Sequence, residues 1–355
     1  MIILNSDDLK NLENLFRLHG IEAEDAFYAI SSYYIQYYQI SLTPRLNRIL
    51  KKGFYSLLKS NKNSQLKNKL DDIIKNDPTG EQLPNIYQFF LAKRFRDQSG
   101  KFFTPHSVAN AMVNLLPIKD DAIIMDPTCG GGTFLIEAAK RWKNKSYELI
   151  GNDIDDMLID LTELVLSLGT SEKCAKKLIV SNIYNPSLDI SELFERIDYI
   201  IANPPFSLSI ESFDSSSKLF LCGYRSSDAL FIDLAFKLLK PGGRLVCLLP
   251  HSIISNDEFK DLRLIVEEEW YLLGIIILPE GVFQLTSNTT TRADIVVMEK
   301  KGNSKIPKKL LFGNTVTVGN PLNLRKFDST ENDLKELVSN TEVIDALGLT
   351  EEGLL

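Results

Sequence analysis

Ala122-Ile123-Ile124-Met125-Asp126-Pro127-Thr128-Cys129-Gly130-Gly131-Gly132-Thr133-Phe134 is the stretch that decides the fold class of this chain. A short apolar run ends on an acid, a glycine-rich turn follows, and the next residues open a helix. That is the pattern of a strand–turn–helix unit. Three glycines let the backbone pass close to a ligand, and the helix N-terminus behind them favours negative charge. A glycine-rich turn can also be purely structural, so its meaning depends on its surroundings.

Around it, short β-rich runs alternate with amphipathic helical segments. The runs are Ala122–Met125, Glu148–Asn152, Leu178–Ser181, Tyr199–Ala202, Arg244–Leu249, Gly274–Leu278 and Ile295–Met298. Such alternation with buried apolar strands predicts an α/β fold built on a parallel, doubly wound sheet. No helical pattern separates the last two runs, which are therefore expected as an antiparallel pair at one edge. Ala229–Leu239 reads as a helix with Asp228 as N-cap, stopped by Lys240-Pro241-Gly242-Gly243. Ligands of these sheets sit beyond the carboxyl ends of the strands, where Asp126, Asp153, Ser181 and Asn203 fall.

Upstream, residues 1–95 read as a helical N-terminal domain suited to partner or DNA docking. Leu9, Leu12, Leu15 and Phe16 follow helical spacing, as do Phe27, Ile30, Tyr34 and Tyr37, while Pro44, Pro78 and Pro84 interrupt the run. Tyr28, Tyr33, Tyr34, Tyr37 and Tyr38 suit helix–helix packing better than a base-stacking surface. Residues 96–315 hold the α/β domain, and 316–355 an acidic, partly helical tail. There Thr330-Glu331-Asn332-Asp333 resembles a capping box leading a helix through Leu337 and Val343.

The 355 residues leave room for about two domains. A hydrophobic content of 44% is that of an ordinary globular protein, and no stretch approaches the ~20 apolar residues of a membrane span. The first residues lack the basic and apolar segments of a secretory signal. Cys129, Cys174, Cys222 and Cys247 are widely spaced, so neither a metal site nor a disulfide framework is indicated, and a cytoplasmic location is expected. The net charge of −7 sets this chain apart from proteins that grip nucleic acid unaided. Positive charge is local, in Arg45, Arg48, Lys51, Lys52, Lys59, Lys62, Lys67 and Lys69, and again in Lys300, Lys301, Lys305, Lys308 and Lys309. A phosphate track and solvated helix faces both fit these runs.

The chemistry concentrates in two places. A dinucleotide site would want Gly-x-Gly-x-x-Gly, but the third position here is Leu135. Asp126, placed before the glycines, fits a cationic ammonium better than a pyrophosphate, and S-adenosylmethionine carries such an amine. Asp153, ending the second strand, can take both ribose hydroxyls, and Asn182, after the third, can pair with the cofactor adenine. Asn203-Pro204-Pro205-Phe206 follows the fourth strand directly. Its Asn203 side chain and Pro204 backbone offer two carbonyl oxygens, neither proline can donate, and Phe206 adds an aromatic face. Two acceptors and a ring suit a flat base with an exocyclic amino group. A proline pair after a strand can also simply end it.

Together these motifs resemble the gamma-type N6-adenine DNA methyltransferases, and most closely the modification subunits of type I restriction–modification systems. The resemblance runs from Gly100 to Lys300. It rests on Gly100-Lys101-Phe102-Phe103-Thr104-Pro105, Asp126–Phe134, Asn203–Phe206, Ser227-Asp228-Ala229-Leu230-Phe231, Leu239–Arg244 with Leu249-Pro250, and Leu278-Pro279-Glu280-Gly281-Val282-Phe283. It implies a class I S-adenosylmethionine-dependent methyltransferase fold, Rossmann-like with an antiparallel edge strand, behind an all-α N-terminal domain. S-adenosyl-L-methionine is then the methyl donor and a flipped adenine in double-stranded DNA the target. Phe103, Thr104 and Pro105 are expected to line the methionine end of the cofactor. Asp126 is expected to hold the amine over the loop of Thr128, Gly130, Gly132 and Thr133. Asp153 and Asn182 take the nucleoside, and Asn203, Pro204, Pro205 and Phe206 form the catalytic turn. Asp228 matches an acidic position near the active site.

Three departures shape the expectation. Asn182 replaces the usual third-strand acid, the helical N-terminal region is short, and no target-recognition domain follows residue 300. The resemblance therefore implies a separate specificity subunit, with a restriction subunit and pairing of modification subunits as further partners. The competing readings are methylation of RNA or of a protein glutamine, and an inactive cofactor-binding scaffold.

Overall fold

Among the described residues, five helices fall within the first 95: α1 (Ser6–Arg17), α2 (Ala23–Tyr37), α3 (Pro44–Asn61), α4 (Ser64–Lys75) and α5 (Leu83–Phe95). The computed structural model describes residues 4, 6–62, 64–95, 104–283, 292–302, 309–319 and 331–349. The chain divides into two units, one of residues 1–99 with 156–170 and one of 100–155 with 171–355. The later helix α8 (Asp156–Gly169) thus groups with α1–α5.

In the helical unit, Pro44 occupies the first residue of α3, where its missing N–H costs nothing. Helix α2 is buried from Ala26 through Ile35. It meets α3 so closely that a Cβ at Gly53 would lie 2.3 Å from the Tyr28 carbonyl oxygen, which excludes any larger residue. Tyr28, Tyr33, Tyr34 and Tyr38 pack as expected, whereas Tyr37 is exposed. Tyr33 and Tyr34 donate to Asp71 and Asp77 at 2.6 and 2.7 Å, and Tyr38 donates to the Ile74 carbonyl at 2.6 Å. Asp77, buried, also accepts from the Glu81 and Gln82 N–H groups at 2.9 and 3.0 Å, capping the entry to α5. Part of the basic run is spent internally. Arg45 pairs with Asp156 at 2.7 Å, Arg48 with Asp160 at 2.5 Å and Lys69 with Asp8 at 3.1 Å, whereas Lys51, Lys59 and Lys62 are exposed.

The second unit is a single eight-stranded sheet in the order β3-β2-β1-β4-β5-β7-β6-β8. Its strands are β1 (Ala122–Asp126), β2 (Tyr147–Asp153), β3 (Cys174–Val180), β4 (Ile197–Ala202), β5 (Leu239–Pro250), β6 (Trp270–Ile277), β7 (Ala293–Lys300) and β8 (Leu311–Asn314). Strands β1 to β5 run parallel, and β7 runs antiparallel to both β5 and β6. The final two strands of the sequence pattern do pair antiparallel, with β7 on the inner side. Beyond them β8, which the pattern did not mark, pairs parallel with β6. Strand order reverses between β1 and β4, so the crevice of a doubly wound sheet opens there.

Side chains alternate across the sheet. Met125, Ile150, Ile200, Ala202, Leu245, Cys247 and Leu249 join one buried cluster with α11 (Ser227–Leu238). Tyr199, one position off that series, meets Trp142, the C-cap of α7 (Thr133–Arg141), at 6.0 Å between rings. Helix α7 packs with α6 (His106–Asn114). Four short helices, α9 (Leu188–Ser191), α10 (Lys218–Leu221), α12 (His251–Ser255) and α13 (Lys260–Glu269), complete the connections before β6.

Several helix boundaries differ from expectation. Asp228 is not the N-cap of α11; Ser226 is, because the helix begins at Ser227. The Lys240–Gly243 stretch does not stop a helix but lies within β5, after α11 has ended at Leu238. Helix α6 begins at His106, with Pro105 as its N-cap. In the tail, Asn332 caps α14 (Asp333–Val338) by accepting from the Lys335 N–H, and Asn340 then caps a separate α15 (Thr341–Ala346). Thr330 lies outside the described residues. Among the described residues, no helix is long and apolar enough to cross a membrane.

Candidate active site

Two turns stand side by side at the carboxyl ends of β1 and β4. The first is built on glycine. Gly130 and Gly132 have φ of 51° and 82°, conformations that cost other residues a steric penalty, and Gly132 serves as N-cap of α7. The turn is tied to the next strand through the Cys129 N–H, which donates to the Asn152 carbonyl at 2.8 Å, and the Gly130 N–H, which donates to Asp153 Oδ2 at 2.9 Å. Asn152 is buried and bridges three strand ends. Its Nδ2 donates to the Pro127 and Ser181 carbonyls at 3.0 and 3.1 Å, and its Oδ1 accepts from the Ser181 hydroxyl at 2.9 Å.

Asp126 sits at the root of this turn with no exposed surface. Its Oδ1 accepts from the Thr128 N–H at 3.0 Å, while its Oδ2 is buried without a hydrogen-bond partner. Burial pushes the carboxyl well above the usual carboxylate range; the Thr128 N–H pulls it down, and the Asp153 charge pushes it further up. A buried carboxylate oxygen left unpaired is expensive, and a cation delivered to it removes the cost. The donor set fits an ammonium group.

The second turn is built on proline. Asn203 Nδ2 donates to Thr104 Oγ1 at 3.1 Å, which turns the amide so that Oδ1 is the free end. Oδ1 is buried and has no partner. Pro205's carbonyl accepts from the Ser227 hydroxyl at 2.5 Å, whereas no donor among the described residues reaches the Pro204 carbonyl. The acceptors expected from the sequence are thus the two left open. Phe206 is buried, with 8% of its surface exposed, so a base can stack on it only after its present cover shifts. Ser207 follows with φ of 57°, the left-handed region that favours glycine.

Thr128 joins the turns: its hydroxyl donates to the Asn203 carbonyl at 3.4 Å. Asp126, Thr128, Gly130, Gly132, Thr133, Asp153, Thr104 and Asn203 therefore gather at one end of the sheet. Asp153 is partly committed, with Oδ1 accepting from the Asp155 N–H at 2.9 Å and Oδ2 from Gly130. Asn182 is exposed, and its Oδ1 accepts from the Tyr184 N–H at 3.0 Å, closing a local turn. Pro105 is buried beside Thr104. Phe103 lies outside the described residues. The roles of Asn152 and Ser227 were missed; a lone Asn at a strand end and a Ser at a helix start are too common to single out. These turns do not hold every unpaired acceptor: Asp294 Oδ1 is another, on a residue whose Oδ2 lies 2.7 Å from His251 Nδ1.

Residues 79–343 match the family model described as N-6 DNA Methylase. Among curated proteins, a type II methyltransferase, M.VspI, of Vibrio sp. (strain 343) is 28% identical over 229 residues, which is 62% of this chain and 53% of that protein. The MjaVII type I restriction enzyme methylase subunit of Methanocaldococcus jannaschii is 26% identical over 255 residues, 67% of this chain and 42% of the relative. The chain thus spans about half the length of these relatives. A Listeria monocytogenes structure described as a putative class I S-adenosylmethionine-dependent methyltransferase aligns with a TM-score of 0.60 at 22% identity, covering 89% of this chain and 95% of that one. The type I restriction–modification methyltransferase subunit of Streptococcus thermophilus aligns with a TM-score of 0.55 at 19% identity, covering 85% and 68%. The fold is that of the class I methyltransferases.

Proposed function

The chain belongs to the N-6 DNA methylase family, and on that premise we propose that it methylates the exocyclic N6 of an adenine in DNA, using S-adenosylmethionine. One observation carries the reading. Two buried oxygens, Asp126 Oδ2 and Asn203 Oδ1, lack partners on turns that Thr128 ties together. One fits the ammonium of the donor, and the other fits an amino proton of the acceptor base.

Asp126 would hold the amine, next to the turn of Gly130 and Gly132. Thr104, Pro105 and, by its place in the motif alone, Phe103 would line the methionine end, and Asp153 and Asn182 would take the nucleoside. The bound cofactor supplies an electrophilic methyl on a sulfonium centre. The chain's part is alignment. Asn203 Oδ1 and the Pro204 carbonyl accept the two amino protons, draw the nitrogen out of conjugation with the ring and stabilise positive charge as it develops. Thr104 accepts from Asn203 Nδ2, an arrangement that leaves Oδ1 as the open end of the amide. A flipped adenine stacks on Phe206 once that ring is uncovered.

Sequence readout is assigned to a separate specificity subunit, since the chain carries a net charge of −7. Residues 1–95 and 316–355 are assigned to docking with that subunit, with a second modification subunit or with DNA. Tritium transfer from labelled S-adenosylmethionine to unmethylated DNA, RNA and protein, with and without a cognate specificity subunit, tests the reading. Label in DNA adenine supports it; label in RNA or glutamine, or in nothing while the cofactor binds, replaces it with a competing one.

A further inference from the structure

Ser227 is placed where no catalytic role required a residue. It is fully buried, at the first position of α11, and its hydroxyl and N–H both engage the segment that follows Asn203. Its hydroxyl donates to the Pro205 carbonyl at 2.5 Å and accepts from the Leu208 N–H at 3.1 Å. Its own N–H donates to the Leu208 carbonyl at 2.8 Å. Behind it, the Tyr184 hydroxyl donates to the Ser227 carbonyl at 3.0 Å. A bridge between Ser209 and Ser226 and an Ile210 N–H to Arg225 carbonyl bond of 2.7 Å continue the pairing outward. The segment after the turn, which its serine content alone marks as a loose loop, is therefore fastened at its root.

We propose that Ser227 is a positioning residue for methyl transfer, a clamp that spans Phe206 and Ser207 and fixes the base-gripping turn. This rests on the reading of Asn203–Phe206 given above. The geometry gives the clamp two tasks. It occupies the Pro205 carbonyl, leaving the Pro204 carbonyl as the acceptor of the pair that remains open. It also closes a loop around Ser207, whose left-handed backbone a non-glycine residue holds only when its surroundings impose it. Phe206 lies between the two fastened points, so the clamp holds the backbone that carries its ring. Tyr184 sets the clamp in turn.

Ser227→Ala removes the hydroxyl and leaves both the Pro205 carbonyl and the Leu208 N–H unpaired, while Ser227→Thr keeps the hydroxyl. Three quantities are measured on the full chain with its specificity partner: kcat, the Kd for S-adenosylmethionine, and amide hydrogen exchange at Ser207 and Leu208. The expected result for Ser227→Ala is a fall in kcat of about 10-fold or more with cofactor Kd within about 2-fold, and faster exchange at Leu208. Ser227→Thr, or Tyr184→Phe if the extra methyl prevents folding, should stand between wild type and Ser227→Ala on both measures. Unchanged kcat, or a loss of kcat matched by an equal loss of cofactor binding, overturns the proposal. Should the wild type methylate no DNA, the function assigned above fails. The clamp itself is then judged by the exchange rates alone, and unchanged exchange at Leu208 overturns it.

Discussion

The turns after β1 and β4 end in the same way, with one buried oxygen unpaired, yet they are made from opposite materials. The first uses glycine at 130 and 132, both with left-handed φ; the Gly130 N–H reaches Asp153, and nothing lies within 4 Å of where a Gly130 Cβ would stand. The second uses two prolines, which remove N–H donors and hold the chain stiff between Asn203 and Phe206. The open oxygens differ as well. Asp126 offers a carboxylate that burial holds toward its neutral form, and Asn203 an amide that is never charged. A permissive loop with an ionisable acceptor suits a cationic ligand that arrives and leaves. A stiff turn with a neutral acceptor suits a group whose charge appears only during reaction.

If that contrast holds, Asn203→Ala has the largest effect. Methyl transfer should fall by about 100- to 1,000-fold, the cost of one preorganised acceptor, while cofactor affinity measured by calorimetry changes little. Asp126→Asn should do the reverse. It loses a charge-assisted hydrogen bond of about 1.5–3 kcal/mol, so the cofactor Kd should rise by about 10- to 100-fold. Equal effects of both substitutions on binding would erase the distinction between the turns.

The same contrast has a pH signature. The carboxyl of Asp126 is raised in the folded protein, so its contribution to folding stability is full at low pH and is lost as pH rises through the folded value. The bound ammonium favours the ionised form, so cofactor affinity should weaken as pH falls through that value. The rise in Tm on adding S-adenosylmethionine should accordingly be larger at neutral than at acid pH, and Asp126→Asn should flatten the dependence. A cofactor-induced Tm shift independent of pH in the wild type would place the amine elsewhere. Smaller again is Thr104→Val, which frees the Asn203 amide to rotate. About 1 kcal/mol, or roughly a 5-fold loss of kcat, is expected, visible in single-turnover assays. Ser207→Gly is the smallest, with stability by urea unfolding changed by no more than about 1 kcal/mol, because relief at φ of 57° offsets the entropy of the unfolded glycine.

How much of this could be read from the sequence followed from how local each signal is. The strand–turn–helix at 122–134 and Asn203–Phe206 after an apolar run carry their meaning within a few residues, and the structure brings them together through Thr128. β8 escaped notice because Leu311-Phe312-Gly313-Asn314 has neither alternation nor β-branched residues, and pairing with β6 alone defines it. The start of α11 was misplaced because Asp228 is a good cap by residue type, whereas the helix begins one residue earlier, at Ser227, with Ser226 as its N-cap. The grouping of α8 with the N-terminal helices depends on Arg45 and Arg48 meeting Asp156 and Asp160, ion pairs far apart in sequence that no window of residues reveals.

If the oxygens at Asn203 and Pro204 grip the amino group as proposed, they also count its hydrogens. An unmodified amino group has two to give and satisfies both; once methylated it has one, and an oxygen is stranded in a dry pocket at a cost of about 1–3 kcal/mol. Product should therefore leave more readily than substrate, and the reaction should halt after a single addition. Mass spectrometry of digested DNA that found doubly methylated adenine would contradict that arithmetic.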